Sequence, residues 1–172
     1  MTALLRDTDR WGKALRPRIG RIWEMDIVIY LVGQWETFHR RPMIEALARN
    51  AEGRARILCV NPRICLTTTP LRDPKCFLRE VVWRRPRQVG PNLYVFTPFI
   101  WVHESVAGRL GLGNWNQSLL ARQVRNAVNA LGRPREQRVC WVYRPDQIRM
   151  LGLAAERHVV YECYDEYTID PA

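Results

Sequence analysis

Apolar positions along the chain fall into short, nearly continuous runs separated by segments with helical spacing. Asp26–Val32 (DIVIYLV) is apolar and β-branched over the length of a strand. Ile44, Leu47, Ala48 and Ala51 then recur at helical spacing. Pro42 stands where a first helical turn tolerates proline, and Gly53 supplies a stop. Arg56–Asn61 is a second apolar run. This strand–loop–helix–strand unit predicts two parallel neighbours joined by a right-handed crossover.

Three further runs, Asn92–Pro98, Arg138–Tyr143 and His158–Cys163, read as strands. Asn114 is placed to cap the longest helix, with Trp115, Leu119, Leu120, Val124, Val128 and Leu131 on one face and Gly132 and Pro134 at its end. Lys75–Arg84 predicts a short helix, Arg144-Pro145 opens another through Leu151, and Phe99–Gly113 reads as a loop. Runs this continuous are expected of a parallel sheet covered on both faces. The expected fold is therefore α/β: a Rossmann-like, mostly parallel sheet with helices on both faces over 26–172, preceded by an N-terminal arm over 1–25.

Composition narrows the function less than the pattern narrows the fold. The chain has 172 residues and a formal charge of +10, which suits nucleic acid, an anionic membrane or a phosphorylated ligand. Lys13 and Lys75 are its only lysines, and arginine-rich codon usage produces the same balance. Five cysteines, an odd count without a CxxC, predict a reduced, cytoplasmic protein, with Cys59, Cys140 and Cys163 in buried strands. His39, His103 and His158 show no metal-ligand spacing with any cysteine, so no metal site is expected. No run is long and apolar enough to span a membrane, and 1–25 lacks a signal-peptide core. Leu4, Leu5, Trp11, Leu15, Ile19 and Trp23 line one side of a helix broken at Pro17, which packs on the domain or lies in a membrane interface.

Chemistry is expected at the carboxyl ends of the strands, where open parallel sheets bind ligands. The loop Gly33–Arg41 lies there and carries Gln34, Trp35, His39, Arg40 and Arg41. Two guanidiniums and an imidazole just before a helix N-terminus suit an anion. Asp165 and Glu166 follow the last strand and suit sugar hydroxyls or a general base, and His103 is a further candidate base. Neither GxGxxG, GxxxxGK[ST] nor GxSxG occurs, which removes support for a dinucleotide fingerprint, a P-loop and a serine-hydrolase elbow. Trp83–Arg87 is a basic aromatic patch, but no RRM, KH or helix-turn-helix pattern accompanies it, so nucleic acid is not the first partner expected.

Four stretches in register carry a resemblance. Trp35 and His39-Arg40-Arg41-Pro42 open a helix that leads to a strand ending at Asn61-Pro62. Asn92-Leu93-Tyr94-Val95 with Pro98 precedes the segment Asn116–Gly132, Val139–Val142 is followed by Pro145, and Val159–Tyr167 closes the series. Over Asp26–Tyr167 the chain resembles the N-terminal, acceptor-side domain of bacterial GT-B glycosyltransferases of the family-4-like group. His39-Arg40 stands where Gln-Arg is commoner in that family, Glu162 where Asp is commoner, and the family's carboxy-terminal E-x7-E element has no counterpart.

The resemblance implies the acceptor-binding half of an enzyme that moves a sugar from a nucleotide-sugar to a glycan or lipid-linked acceptor, inactive alone. The donor nucleotide would bind mainly to a second, C-terminal domain or a partner subunit, with no metal or other cofactor. His39, Arg40 and Arg41 would border the cleft and contact a diphosphate or an anionic acceptor. Asp165 and Glu166 would contact acceptor hydroxyls or act as base, with His103 and Arg144 lining the same edge. Its implied place is the cytoplasm, or the inner face of the membrane as a peripheral protein. The alternative is a non-catalytic basic module of the same fold that binds nucleic acid, an anionic membrane or a catalytic partner subunit.

Overall fold

A computed structural model describes residues 25–69, 74–75, 85–132 and 137–162. The expected helix Lys75–Arg84, the arm over 1–24, and Cys163, Asp165 and Glu166 lie largely or wholly outside the described residues. Within them the protein is α/β, with a mostly parallel mixed sheet and helices.

The first strand, β1 (Asp26–Tyr30), is followed by a 3₁₀ turn (Trp35–Thr37), α1 (Arg41–Asn50) and β2 (Arg56–Val60). Then come β3 (Ile64–Cys65), β4 (Arg87–Gly90), β5 (Leu93–Phe96) and β6 (Phe99–Ile100). Two helices, α2 (Glu104–Arg109) and α3 (Gly113–Asn129), lead to β7 (Arg138–Val142), a 3₁₀ helix (Pro145–Met150) and β8 (His158–Tyr161).

The main sheet runs β4-β5-β2-β1-β7-β8. Its last five strands are mutually parallel, and β4 is an antiparallel edge added through a hairpin to β5. β3 and β6 form a separate parallel pair immediately beyond the carboxyl ends of β2 and β5.

Strand periodicity divides the core in two. Ile27, Ile29, Ile57, Cys59, Leu93 and Val95 face α1, through Ile44 and Ala48. Val28, Tyr30, Leu58, Val60, Phe96, Cys140 and Val142 face α3, through Leu120, Val124, Ala127 and Val128. Gly132, at φ +86°, ends the α3 segment in the left-handed conformation that glycine adopts without strain.

Four sequence expectations change. The expected loop Phe99–Gly113 contains β6 and α2, both too short to carry a recognisable period. Asn114 does not cap α3: the helix begins at Gly113, the capping position is Leu112, and no side chain closes that end. Trp115 leaves the buried face and is 50% exposed, while Asn116 is buried in its place. β8 is exposed along its described length, not buried, because it is an outer strand that neither helix-packed core reaches. No helix of the described residues is long and apolar enough to cross a membrane.

Candidate functional site

Ranked by chain order, the five parallel strands read 3-2-1-4-5 across the sheet, so the direction of winding reverses between β1 and β7. Chain leaving neighbouring strands in opposite directions opens a crevice at their carboxyl ends. A cavity of about 320 Å³ lies there, walled by Tyr30–Val32 after β1, Val60–Arg63 after β2, Pro98 and Ile100 after β5, and Arg144, Asp146 and Gln147 after β7.

Two buried amides hold this crevice in shape. Asn61, only 3% exposed, accepts the Trp35 N–H at 2.9 Å and donates to Thr97 Oγ1 at 2.9 Å, tying the β1, β2 and β5 exits together. Gln147 Oε1 accepts the N–H groups of Tyr143 and Arg144 at 2.7 and 3.1 Å. Its Nε2 donates to the Tyr30 carbonyl at 2.9 Å, so one side chain closes the β7 turn and docks it on β1. Each satisfies backbone groups that the open strand ends would otherwise leave unpaired.

The polar walls are two ion pairs and an imidazole. Arg63 pairs with Glu104 at 2.5 Å, and Arg144 Nε with Asp146 Oδ1 at 3.1 Å. His103 caps α2: its Nδ1 accepts the Ser105 N–H at 3.4 Å and lies 2.9 Å from Ser105 Oγ. An accepting Nδ1 puts the proton of the neutral ring on Nε2, so the free side of His103 is a donor. Cys65 lies on the same wall, with Sγ 3.1 Å from Thr67 Oγ1. Burial pushes its thiol up, but hydrogen bonds from Thr67 and Thr68 outweigh that and lower it overall.

Of the sequence-named residues, the structure brings His103 and Arg144 together on this cavity. Gln34, Trp35, His39, Arg40 and Arg41 are not among its walls. Trp35 is buried in the core on the α1 side. Arg40 is ion-paired with Glu162, which also accepts from Trp141 Nε1 at 3.0 Å, and its guanidinium lies 5.8 Å from the centre of the Tyr143 ring. Arg41 Nε reaches Glu45 at 2.8 Å and its guanidinium stands 5.2 Å from the centre of the Trp35 ring. The carboxylates that answer these two arginines are already within the chain. Arg63, Glu104, Asp146 and Gln147 carry no local pattern that marks them; Arg63 and Asp146 each sit beside a proline that ends a strand exit, which is the only available signal.

Among the described residues no group of three or more His, Cys, Asp or Glu side chains is arranged to hold a metal ion. No protein-family model, curated protein or solved structure matches the chain.

Proposed function

We propose that the chain is a Rossmann-like, acceptor-side half of a GT-B glycosyltransferase, with its acceptor seated in the cavity between the β1 and β7 exits. One observation carries this: the winding reversal of a five-strand parallel order falls on a cavity whose walls alternate guanidiniums and carboxylates. Hydroxyl-rich ligands suit such walls, since every sugar hydroxyl both donates and accepts. The four-part resemblance over Asp26–Tyr167 supports the same reading.

In this scheme Glu104 and Asp146 accept acceptor hydroxyls, and Arg63 and Arg144 hold those carboxylates and donate in turn. His103, with its proton on Nε2, donates to an acceptor oxygen, so the base is a carboxylate. The nucleotide-sugar would be held mainly by a second domain or subunit, with no other cofactor, and the isolated chain would bind it weakly or not at all.

Saturation-transfer NMR of the chain against mono- and oligosaccharides tests this. The expected result is saccharide binding that His103→Ala and Arg144→Ala both weaken. Saccharide binding unaffected by either change would overturn the assignment of this cavity. Failure to bind any saccharide, with tight and steeply salt-dependent binding to DNA or RNA, would favour the basic binding module instead.

A further inference from the structure

Large apolar side chains face water at the corner where α2 meets α3. Trp101 and Trp115 are each about half exposed, and their rings touch, with centroids 6.4 Å apart. Val106 on α2 and Leu110 at its C-terminal cap stand one helical turn apart, and both are exposed, Leu110 by 63%. Each forgoes the burial that apolar surface favours, and four at one corner mark a contact surface. Hydrogen bonds hold the corner together. Asn116 Nδ2 donates to the Val102 carbonyl at 2.7 Å, next to Trp101, and the Leu112 N–H donates to the Ala107 carbonyl at 2.8 Å. Gly111, at φ +68°, makes the left-handed turn between the two helices.

The charge of this corner has one sign. From Phe99 to Gly132 the only carboxylate is Glu104, and Arg63 already pairs with it. Arg109 ends α2, and Arg122 and Arg125 recur on the side of α3 that Trp115 occupies. The opposite side of α3, with Leu120, Val124 and Val128, is core. All three arginines are exposed, and no carboxylate of the described residues pairs with them.

The geometry points to a docking surface for an anionic lipid bilayer at the α2–α3 corner. Trp101, Trp115, Val106 and Leu110 enter the boundary between headgroups and acyl chains, and Arg109, Arg122 and Arg125 meet lipid phosphates. Tryptophan suits that boundary, because its ring is apolar while its N–H finds an acceptor. Guanidinium forks match phosphate, and the negative surface potential of an anionic leaflet attracts them. Val106 and Leu110 decide for lipid against nucleic acid, since an aliphatic side chain gives a base nothing to stack on. None of these residues walls the crevice, so the inference stands or falls apart from the saccharide reading.

The test is co-sedimentation of the intact chain, without saccharide, with vesicles of phosphatidylcholine alone and of phosphatidylcholine mixed with phosphatidylglycerol. Saturable binding to the mixed vesicles only is expected, weakening as salt rises. Lipid brominated in its acyl chains should quench the tryptophan emission of the bound chain, and the double variant Trp101→Phe with Trp115→Phe should lose most of that quenching. Leu110→Asp should weaken binding by about tenfold and Arg122→Gln by about fivefold. Both side chains are exposed, so the urea midpoint should hold, which separates lost docking from lost folding. Equal binding to neutral vesicles, no vesicle binding, binding unchanged by Leu110→Asp and Arg122→Gln, or quenching that survives the double variant would each overturn the surface. Tight binding to single-stranded DNA in place of vesicles would also overturn it, and would make the tryptophan pair a base-stacking platform.

Discussion

Two arginine-rich corners sit on the carboxyl edge of one sheet; in both the arginines pair with carboxylates of the chain, and they differ in whether those pairs face the cavity. In the loop Gly33–Arg41 the arginines are answered away from the cavity: Arg40 by the half-buried Glu162, 122 residues away in sequence, and Arg41 by Glu45 one helical turn on, in an exposed pair. The aromatic residues beside them, Trp35 and Phe38, are core. At the β1–β7 crevice the pairs Arg63–Glu104 and Arg144–Asp146 line open space, and the Arg144 and Asp146 side chains are 43% and 67% exposed. A basic cluster before a helix N-terminus is therefore no evidence of an anion site until the carboxylates are located. Sequence proximity reveals Glu45 and hides Glu162.

If the loop is structural and the crevice functional, substitutions in the two should separate stability from binding. The largest effect belongs to Trp35→Ala. A tryptophan 3% exposed and packed among Ile44, Phe38 and Tyr143 should cost about 4 kcal/mol, read as a fall in the urea midpoint. An unchanged midpoint would return Trp35 to the ligand-contacting role that its loop position suggests. Glu162→Ala comes next: it strips Arg40 and Trp141 Nε1 of one shared acceptor in a three-quarters-buried setting and should cost about 2 kcal/mol. A loss below about 0.5 kcal/mol would mean that the pair is solvated and Arg40 is available to a ligand.

Arg144→Ala, at the crevice, should behave oppositely. It removes an exposed side chain and leaves the backbone N–H groups on Gln147, so stability should stay within about 0.5 kcal/mol of the parent. Saccharide binding should nonetheless fall. A variant that loses stability and binding together would erase the contrast between the corners.

The same contrast explains what the sequence exposes. β1, β2 and β7 are legible because strands buried on both faces must be apolar without interruption. β4 is not, because an edge strand reading Arg-Gln-Val-Gly needs no apolar face. The first turn of α3 misleads because Asn114 is a good capping residue standing one position inside a helix that has no cap. At the site, His103 and Arg144 are nameable because each follows a strand exit. Asn61 and Gln147 are not identifiable as braces, because their partners lie on other strands and a lone amide has no periodicity. Asn116 is hidden for the same reason, since an asparagine on an apolar helix face looks like a flaw in the pattern.

The smallest effect concerns the thiols, and it contrasts the crevice with the core beneath it. The Cys65 thiol is lowered overall, burial being outweighed by the Thr67 and Thr68 hydrogen bonds, whereas burial, then Glu156, pushes Cys140 up to about 12. Burial alone also raises Cys59. Only the thiolate is alkylated, so at about pH 7.5 iodoacetamide should label Cys65 before Cys59 and Cys140, as read by peptide mass mapping. Thr67→Val should slow that labelling by removing a stabilising hydrogen bond. Stability carries the opposite sign for Cys140. Its folded pKa lies above the ordinary value of 9.0, so its contribution is complete below pH 9.0 and is lost as pH rises towards about 12, by about 1.4 kcal/mol per pH unit. Cys140→Ala should flatten that part of the alkaline stability profile, and Cys65→Ala should leave it unchanged. Labelling of Cys140 as fast as Cys65 in the folded chain would show that the core under β7 opens as readily as the crevice, and the division between a closed core and an open site would not hold.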